Sequence, residues 1–185
     1  MKKTLIIIGI IVAVLLIMGV SLNNNLVEAD ENVSASWANV ENVLQRRYDL
    51  IPNLVNTVRG YAEHEKSLFT EITELRSKWA DASGKDEQIA VASGLENALS
   101  RLMVVVENYP DLKANQNFLA LQDELAGTEN RISVERRRYN ESVQSYNKLV
   151  RRFPSSIVAG LRGFSVSDDY FKADSAAQKA PEVSF

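Results

Sequence analysis

The chain has 185 residues, 45% of them hydrophobic, a formal net charge of −3, no cysteine and a single histidine. That length supports one well-buried core plus appendages, and the weak negative charge offers no electrostatic route to nucleic acid, which is bound by neutralising many phosphates. The missing cysteine excludes disulfides, thiolate metal sites, cysteine nucleophiles and a lipidated N-terminal cysteine, and with a single histidine neither a catalytic triad nor a histidine-rich metal site is expected.

Lys2 and Lys3 precede an apolar run from Leu5 to Leu22, which as a helix would be roughly 27 Å long, close to the hydrocarbon thickness of a bilayer. A cleaved signal peptide, with Gly19 and Ser21 before the cut, is the rival reading. Its apolar stretch would normally be shorter, at about 7–15 residues. An uncleaved anchor is therefore expected over residues 5–22. With two lysines before the run and Glu28, Asp30 and Glu31 after it, residues 1–4 are expected in the cytoplasm and the rest outside.

Beyond the anchor, Leu26, Val33, Trp37, Val40 and Leu44 mark one face of a first helix. Pro52 disfavours a helical conformation at Ile51, so a turn is expected there, with Asp49 capping a second helix. That helix carries Val58, Tyr61, Leu68, Ile72, Leu75 and Trp79, and ends at Ser83-Gly84, where Gly84 suits a left-handed cap. Residues 86–108 present Ile89, Ala92, Leu95, Leu99, Leu102 and Val106 before Pro110 ends the third helix. A long fourth helix, residues 112–152, carries Phe118, Leu121, Leu125, Ile132, Tyr139, Val143, Tyr146 and Val150. The expectation is an all-α chain in which a transmembrane helix leads into an antiparallel up-down-up-down four-helix bundle over residues 23–153. After Pro154 the helical pattern lapses, so residues 154–172 read as a segment packed on the bundle or lying near the membrane. Residues 173–185 read as a disordered tail.

Three charged residues fall on the expected core stripes: Glu65 between Tyr61 and Leu68, Glu129 between Leu125 and Ile132, and Arg136 between Ile132 and Tyr139. An inward carboxylate needs a partner, because an unpaired buried charge costs several kcal/mol. Counting from turns near Leu50 and Pro110 puts Trp37, Glu65 and Glu129 at similar depth, so Glu65, Glu129 and Arg136 are expected to form a structural polar layer, with Arg131 or Arg136 as its cation. On that reading Glu65→Ala costs roughly 3 kcal/mol. A di-iron bundle would need two Glu-x-x-His motifs, which His64 alone cannot supply. No metal, no cofactor and no catalytic residue is expected. Arg151 and Arg152, at the membrane end of the fourth helix, and Phe164 beyond it are candidates for contact with a partner or with lipid.

Several strings resemble the LemA family. They are Asn25-Leu26-Val27, Trp37-Ala38-Asn39-Val40-Glu41, Gln45-Arg46-Arg47-Tyr48-Asp49-Leu50-Ile51-Pro52-Asn53-Leu54-Val55, Gly60-Tyr61-Ala62-Glu63-His64-Glu65, Glu129-Asn130-Arg131-Ile132, Arg136-Arg137-Arg138-Tyr139-Asn140 and Phe153-Pro154. The likeness spans nearly everything after Asn23; Tyr48 departs from the small residue many members carry. It implies a bacterial membrane protein with one N-terminal span and an extracytoplasmic helical bundle, and it brings no established activity or catalytic residues. The expected function is a scaffold or adaptor that binds another envelope protein and is not an enzyme. The alternative is a module that binds or organises the lipid surface. Nucleic acid is not an expected partner, and self-association is left open.

Overall fold

The computed structural model describes residues 2–62 and 64–171. Among them regular structure is entirely helical: α1 (Lys2–Arg59), α2 (Lys66–Asp81), α3 (Lys85–Val106), the short α4 (Pro110–Lys113), α5 (Gln116–Arg151) and α6 (Ser155–Arg162). The all-α expectation and the apolar N-terminal helix hold. The expected disordered tail, residues 173–185, lies outside the described residues.

The expected turn at Pro52 does not exist, because α1 continues through that proline to Arg59. Two physical facts explain the difference. A proline lacks the N–H that would bond the carbonyl of Tyr48, and here Arg76 of α2 donates its Nε–H to that carbonyl at 3.3 Å. The apolar stripe also continues past the proline, with Ile51, Leu54 and Val58 each at most 1% exposed. Burying three such side chains contributes about 2 kcal/mol each, more than the ~3 kcal/mol that an interior proline costs. Asp49 accordingly caps nothing and accepts from Gln45 Nε2 at 2.8 Å. The chain reverses instead between Arg59 and Lys66, so Tyr61, expected in the core, is 41% exposed.

The described chain divides into two compact units, residues 39–136 with Phe171 and residues 2–38 with 137–170. In the first unit Tyr48, Ile51 and Leu54 of α1, Phe69 and Ile72 of α2, Leu95 and Leu102 of α3, Leu112 of α4 and Phe118 of α5 form the buried centre. Tyr48 stacks on Trp79, ring centroids 4.4 Å apart. Glu71 and Arg101 pair between α2 and α3, and Gly94 lets those helices approach, since a Cβ there would lie 3.2 Å from Leu75. Gly84 is extended (φ −170°, ψ 162°) and precedes α3 rather than capping α2 in a left-handed conformation. Any residue can adopt that backbone. Leu112 belongs to α4, and α5 begins later than expected because Asn115 caps it: its Oδ1 accepts from the amides of Asn117 and Phe118 at 2.9 and 3.1 Å. The same side chain donates to Tyr61 Oη at 3.0 Å, tying the reversal to the start of α5.

In the second unit the first part of α1 meets the last part of α5. Residues 5–18 are all exposed, and burial is complete at Leu26. Trp37 meets the edge of Tyr139, with centroids 5.2 Å apart, and Ser36 Oγ lies 2.8 Å from Ser142 Oγ. Helical structure does not lapse after Pro154, as the sequence pattern suggested, but resumes as α6. Gly163 ends it in a left-handed conformation (φ 81°), and the Phe164 amide donates to Ala159 O at 3.0 Å.

Candidate functional site

The expected polar layer is divided between separate pairs. Glu129 of α5 pairs with Arg47 Nη1 of α1, so the cation beside it is Arg47, while Arg131 is exposed. Arg136 pairs instead with Glu96 of α3 at 3.0 Å, and its guanidinium lies 5.0 Å from the ring centroid of Phe171. Glu65 joins neither pair. It sits half-buried just before α2, where its carbonyl accepts from the amides of Leu68 and Phe69. Its expected depth was counted from a turn at Pro52 that is not there. Trp37, placed at the same level by that count, lies in the other unit against Tyr139.

Arg47 is 7% exposed and is the buried cation that the sequence reading did not mark. Val40, Leu44, Arg47, Ile51, Leu54 and Val58 recur at alternating spacings of four and three straight through Pro52. That stripe was the available signal, and the assumed turn hid it. The Arg47–Glu129 pair borders a cleft of about 220 Å³ floored by Leu99, Met103 and Leu125. Next to it, burial pushes the Tyr48 hydroxyl well above its ordinary range, against a smaller opposing pull from Arg47 and Arg136. The hydroxyl finds no hydrogen-bond partner among the described residues. A buried ion pair with one solvated carboxylate holds two helices in register. His64 is exposed in the reversal, and among the described residues no group of three or more His, Asp or Glu side chains converges as a metal site would require.

A second concentration of polar groups occurs where α5 ends. The segment after α6 folds back along α5, where Asn147 acts as a two-way bracket: Nδ2 donates to Ser167 O at 2.7 Å and Oδ1 accepts the Ser167 amide at 2.9 Å. Tyr146 Oη donates to Ser165 O at 2.9 Å. Burial, and then the negative charge of Asp30, push the Tyr146 hydroxyl above its ordinary range. Beside this bracket lies an open cleft of about 510 Å³ edged by Lys148, Arg151, Arg152, Asp168 and Tyr170. Arg151 and Arg152 are both exposed at this cleft, and Phe164 is half-buried and does not line it. Ser155 Oγ donates to the carbonyls of Leu149 and Arg152 at 2.5 and 2.8 Å and closes the end of α5. Ile157 and Leu161, which the sequence did not mark, are 56% and 82% exposed, and Phe153, marked there only in the family resemblance, is 76% exposed.

A model of the LemA family matches residues 36–185. The chain is 28% identical over 176 residues to magnetosome protein MamQ 2 of Paramagnetospirillum magneticum, covering 80% of this chain and 64% of that relative. It is 28% identical over 168 residues to MamQ of Magnetospirillum gryphiswaldense, covering 76% and 61%. Protein LemA of Metamycoplasma hominis is 25% identical over 141 residues, covering 76% and 64%. The chain therefore spans between 61% and 64% of the length of these curated relatives.

Proposed function

The chain belongs to the LemA family, and from that premise we propose that it is a membrane-anchored scaffold whose helical body binds another protein of the bacterial envelope, without catalytic activity. Residues 5–22 stay uncleaved as the single span, the short N-terminus faces the cytoplasm, and the remainder lies outside. The observation that carries this reading is the continuity of α1. One helix passes from the apolar, wholly exposed residues 5–18 into the buried stripe that ends at Val58. A span that runs without a break into a folded body tethers that body to the bilayer, which suits a platform.

An antiparallel arrangement of four helical segments is supported by the pairs that link them. Trp37 and Ser36 face Tyr139 and Ser142, so numbers fall on α1 as they rise on α5. Arg76 ties α2 to α1, Arg101 ties α3 to α2, and Arg136 ties α5 to α3. The lipid-surface reading has its own support in the exposed Phe153, Ile157 and Leu161 beside Arg151 and Arg152.

Photo-crosslinking in native membranes tests the scaffold reading, with probes at the exposed Val104 of α3 and Leu119 of α5. The expected result is one envelope protein captured reproducibly at one or both positions. Adducts only to lipid, or only to further copies of the chain, would overturn it.

A further inference from the structure

We infer that α6 is a second membrane contact, an interfacial helix whose outer ridge enters the anionic headgroup layer of the same leaflet from which α1 emerges; this rests on the anchor reading of residues 5–22. The ridge is formed by Ile157 and Leu161, four apart on one side of α6 and exposed by 56% and 82%, and Phe153 in the turn that leads into the helix adds a third apolar side chain, 76% exposed. The opposite side is made of Ser155 and Ala159, both buried, which are small enough for α6 to lie close against the rest of its unit. An apolar ridge turned outward from a helix with a packed inner side is the pattern of a helix lying in the plane of an interface.

The register within this unit sets its height. Tyr139 lies against Trp37, Ser142 against Ser36, and Tyr146 is close enough to Asp30 to feel its charge. Both helices rise equally per residue, so Arg151 at the end of α5 comes level with about Asn25, just past the apolar run. On α1 partial burial starts at Gly19, Leu22 and Asn23, beyond the reach of α5, while residues 5–18 are exposed throughout. The chain following α5 is what remains to cover that turn, and α6 is its first element. Its ridge therefore sits beside the last apolar turn of the anchor, at the depth where hydrocarbon gives way to headgroups.

Charge selects the kind of lipid. The exposed Arg151 and Arg152 precede α6 and the exposed Arg162 ends it, against Asp168 and Asp169 on the returning segment. By the same register Lys148 comes level with Glu28, which offsets it, and Asp30 and Glu31 lie farther from the apolar run. A net cationic collar at headgroup depth attracts anionic phosphate, with each basic side chain adding to the pull. A folded protein partner would have to occupy that same layer to reach the ridge.

The test uses the full chain, which has no native cysteine. Leu161→Cys, and as control Glu141→Cys at an exposed site about 15 Å back along α5, each carry one environment-sensitive fluorophore. Both proteins are reconstituted into phosphatidylcholine vesicles with and without phosphatidylglycerol. Expected is at least roughly twofold quenching at position 161 by lipids spin-labelled near the headgroup. Position 141 should show little. Quenching should be stronger with phosphatidylglycerol, and Arg151→Gln with Arg152→Gln should abolish that lipid preference. A label at 161 that floats with the vesicles yet stays as accessible to aqueous iodide as at 141 would overturn the membrane contact alone. A chain that fails to float would remove the anchor and this contact together. A photo-crosslinker at 161 that captures another protein in native membranes, with no lipid adduct, would also overturn it.

Discussion

Arg47 and Glu129 show how little of an ion pair's worth lies in the pairing itself. The arginine side chain is 9% exposed and the glutamate 39%, so removing the carboxylate strands a buried cation, while water continues to screen the other side. Glu129→Ala should therefore cost about 2 kcal/mol, below the cost of breaking a fully buried pair. Glu71→Ala breaks a pair whose partners are 57% and 43% exposed and should cost less than about 0.5 kcal/mol. Glu65→Ala, expected from the sequence to cost roughly 3 kcal/mol, should behave like Glu71→Ala because among the described residues it is in no ion pair with a buried cation. Urea unfolding of the three variants ranks them directly, and equal losses at 129 and 71 would contradict the burial argument. Tyr48 provides a test by pH. Its folded-state pKa is raised by burial, so its contribution is fully present below about 10, where both states hold the proton. It is lost as pH rises above that, by at most about 1.4 kcal/mol per unit, because the unfolded chain releases its proton first. Tyr48→Phe should flatten that alkaline loss. Its hydroxyl has no partner among the described residues, so the variant should change stability near neutral pH by no more than about 1 kcal/mol in either direction.

At the scale of the element, α1 holds an interior proline because a neighbouring helix supplies the missing donor. The prediction is a coupling. Pro52→Ala restores an N–H that can reach Tyr48 O and should stabilise by up to about 3 kcal/mol. Arg76→Ala in the natural chain should cost about 1 kcal/mol, since it leaves that carbonyl without its donor. In the Pro52→Ala background the same change should cost close to nothing, and additive losses in this double-mutant cycle would show that the 3.3 Å contact does not compensate the proline. Proline was read as a stop because the local rule is steric and makes no reference to what packs alongside. The alternation of apolar positions through Ile51, Leu54 and Val58 argued the other way and was the better guide. α6 was missed for the reverse reason. Eight residues are too few for a period to stand out, and Ser155, Gly160 and Gly163 read as loop until Ser155 is seen closing α5 and Gly163 ending α6.

For the whole molecule, the anchor makes the broadest prediction: the chain should resist alkaline carbonate extraction from membranes, and a form lacking residues 1–22 should be released. Release of the full chain would refute an uncleaved span. The sequence by itself determined that this protein is all-helical, that its N-terminus is apolar enough to span a bilayer, which faces of most helices are buried, and which family it resembles. Those features follow from local periodicity and composition, in which each residue testifies about its own neighbourhood. Only the tertiary structure decided that α1 runs through Pro52, that Arg47 rather than Arg131 answers Glu129, that Glu65 stands apart, and that the chain after α5 folds into a helix and a strap held by Asn147. Each of these depends on a donor, a counter-charge or a covering surface brought from distant sequence. A proline's cost or a glutamate's burial is not fixed until that partner is in place.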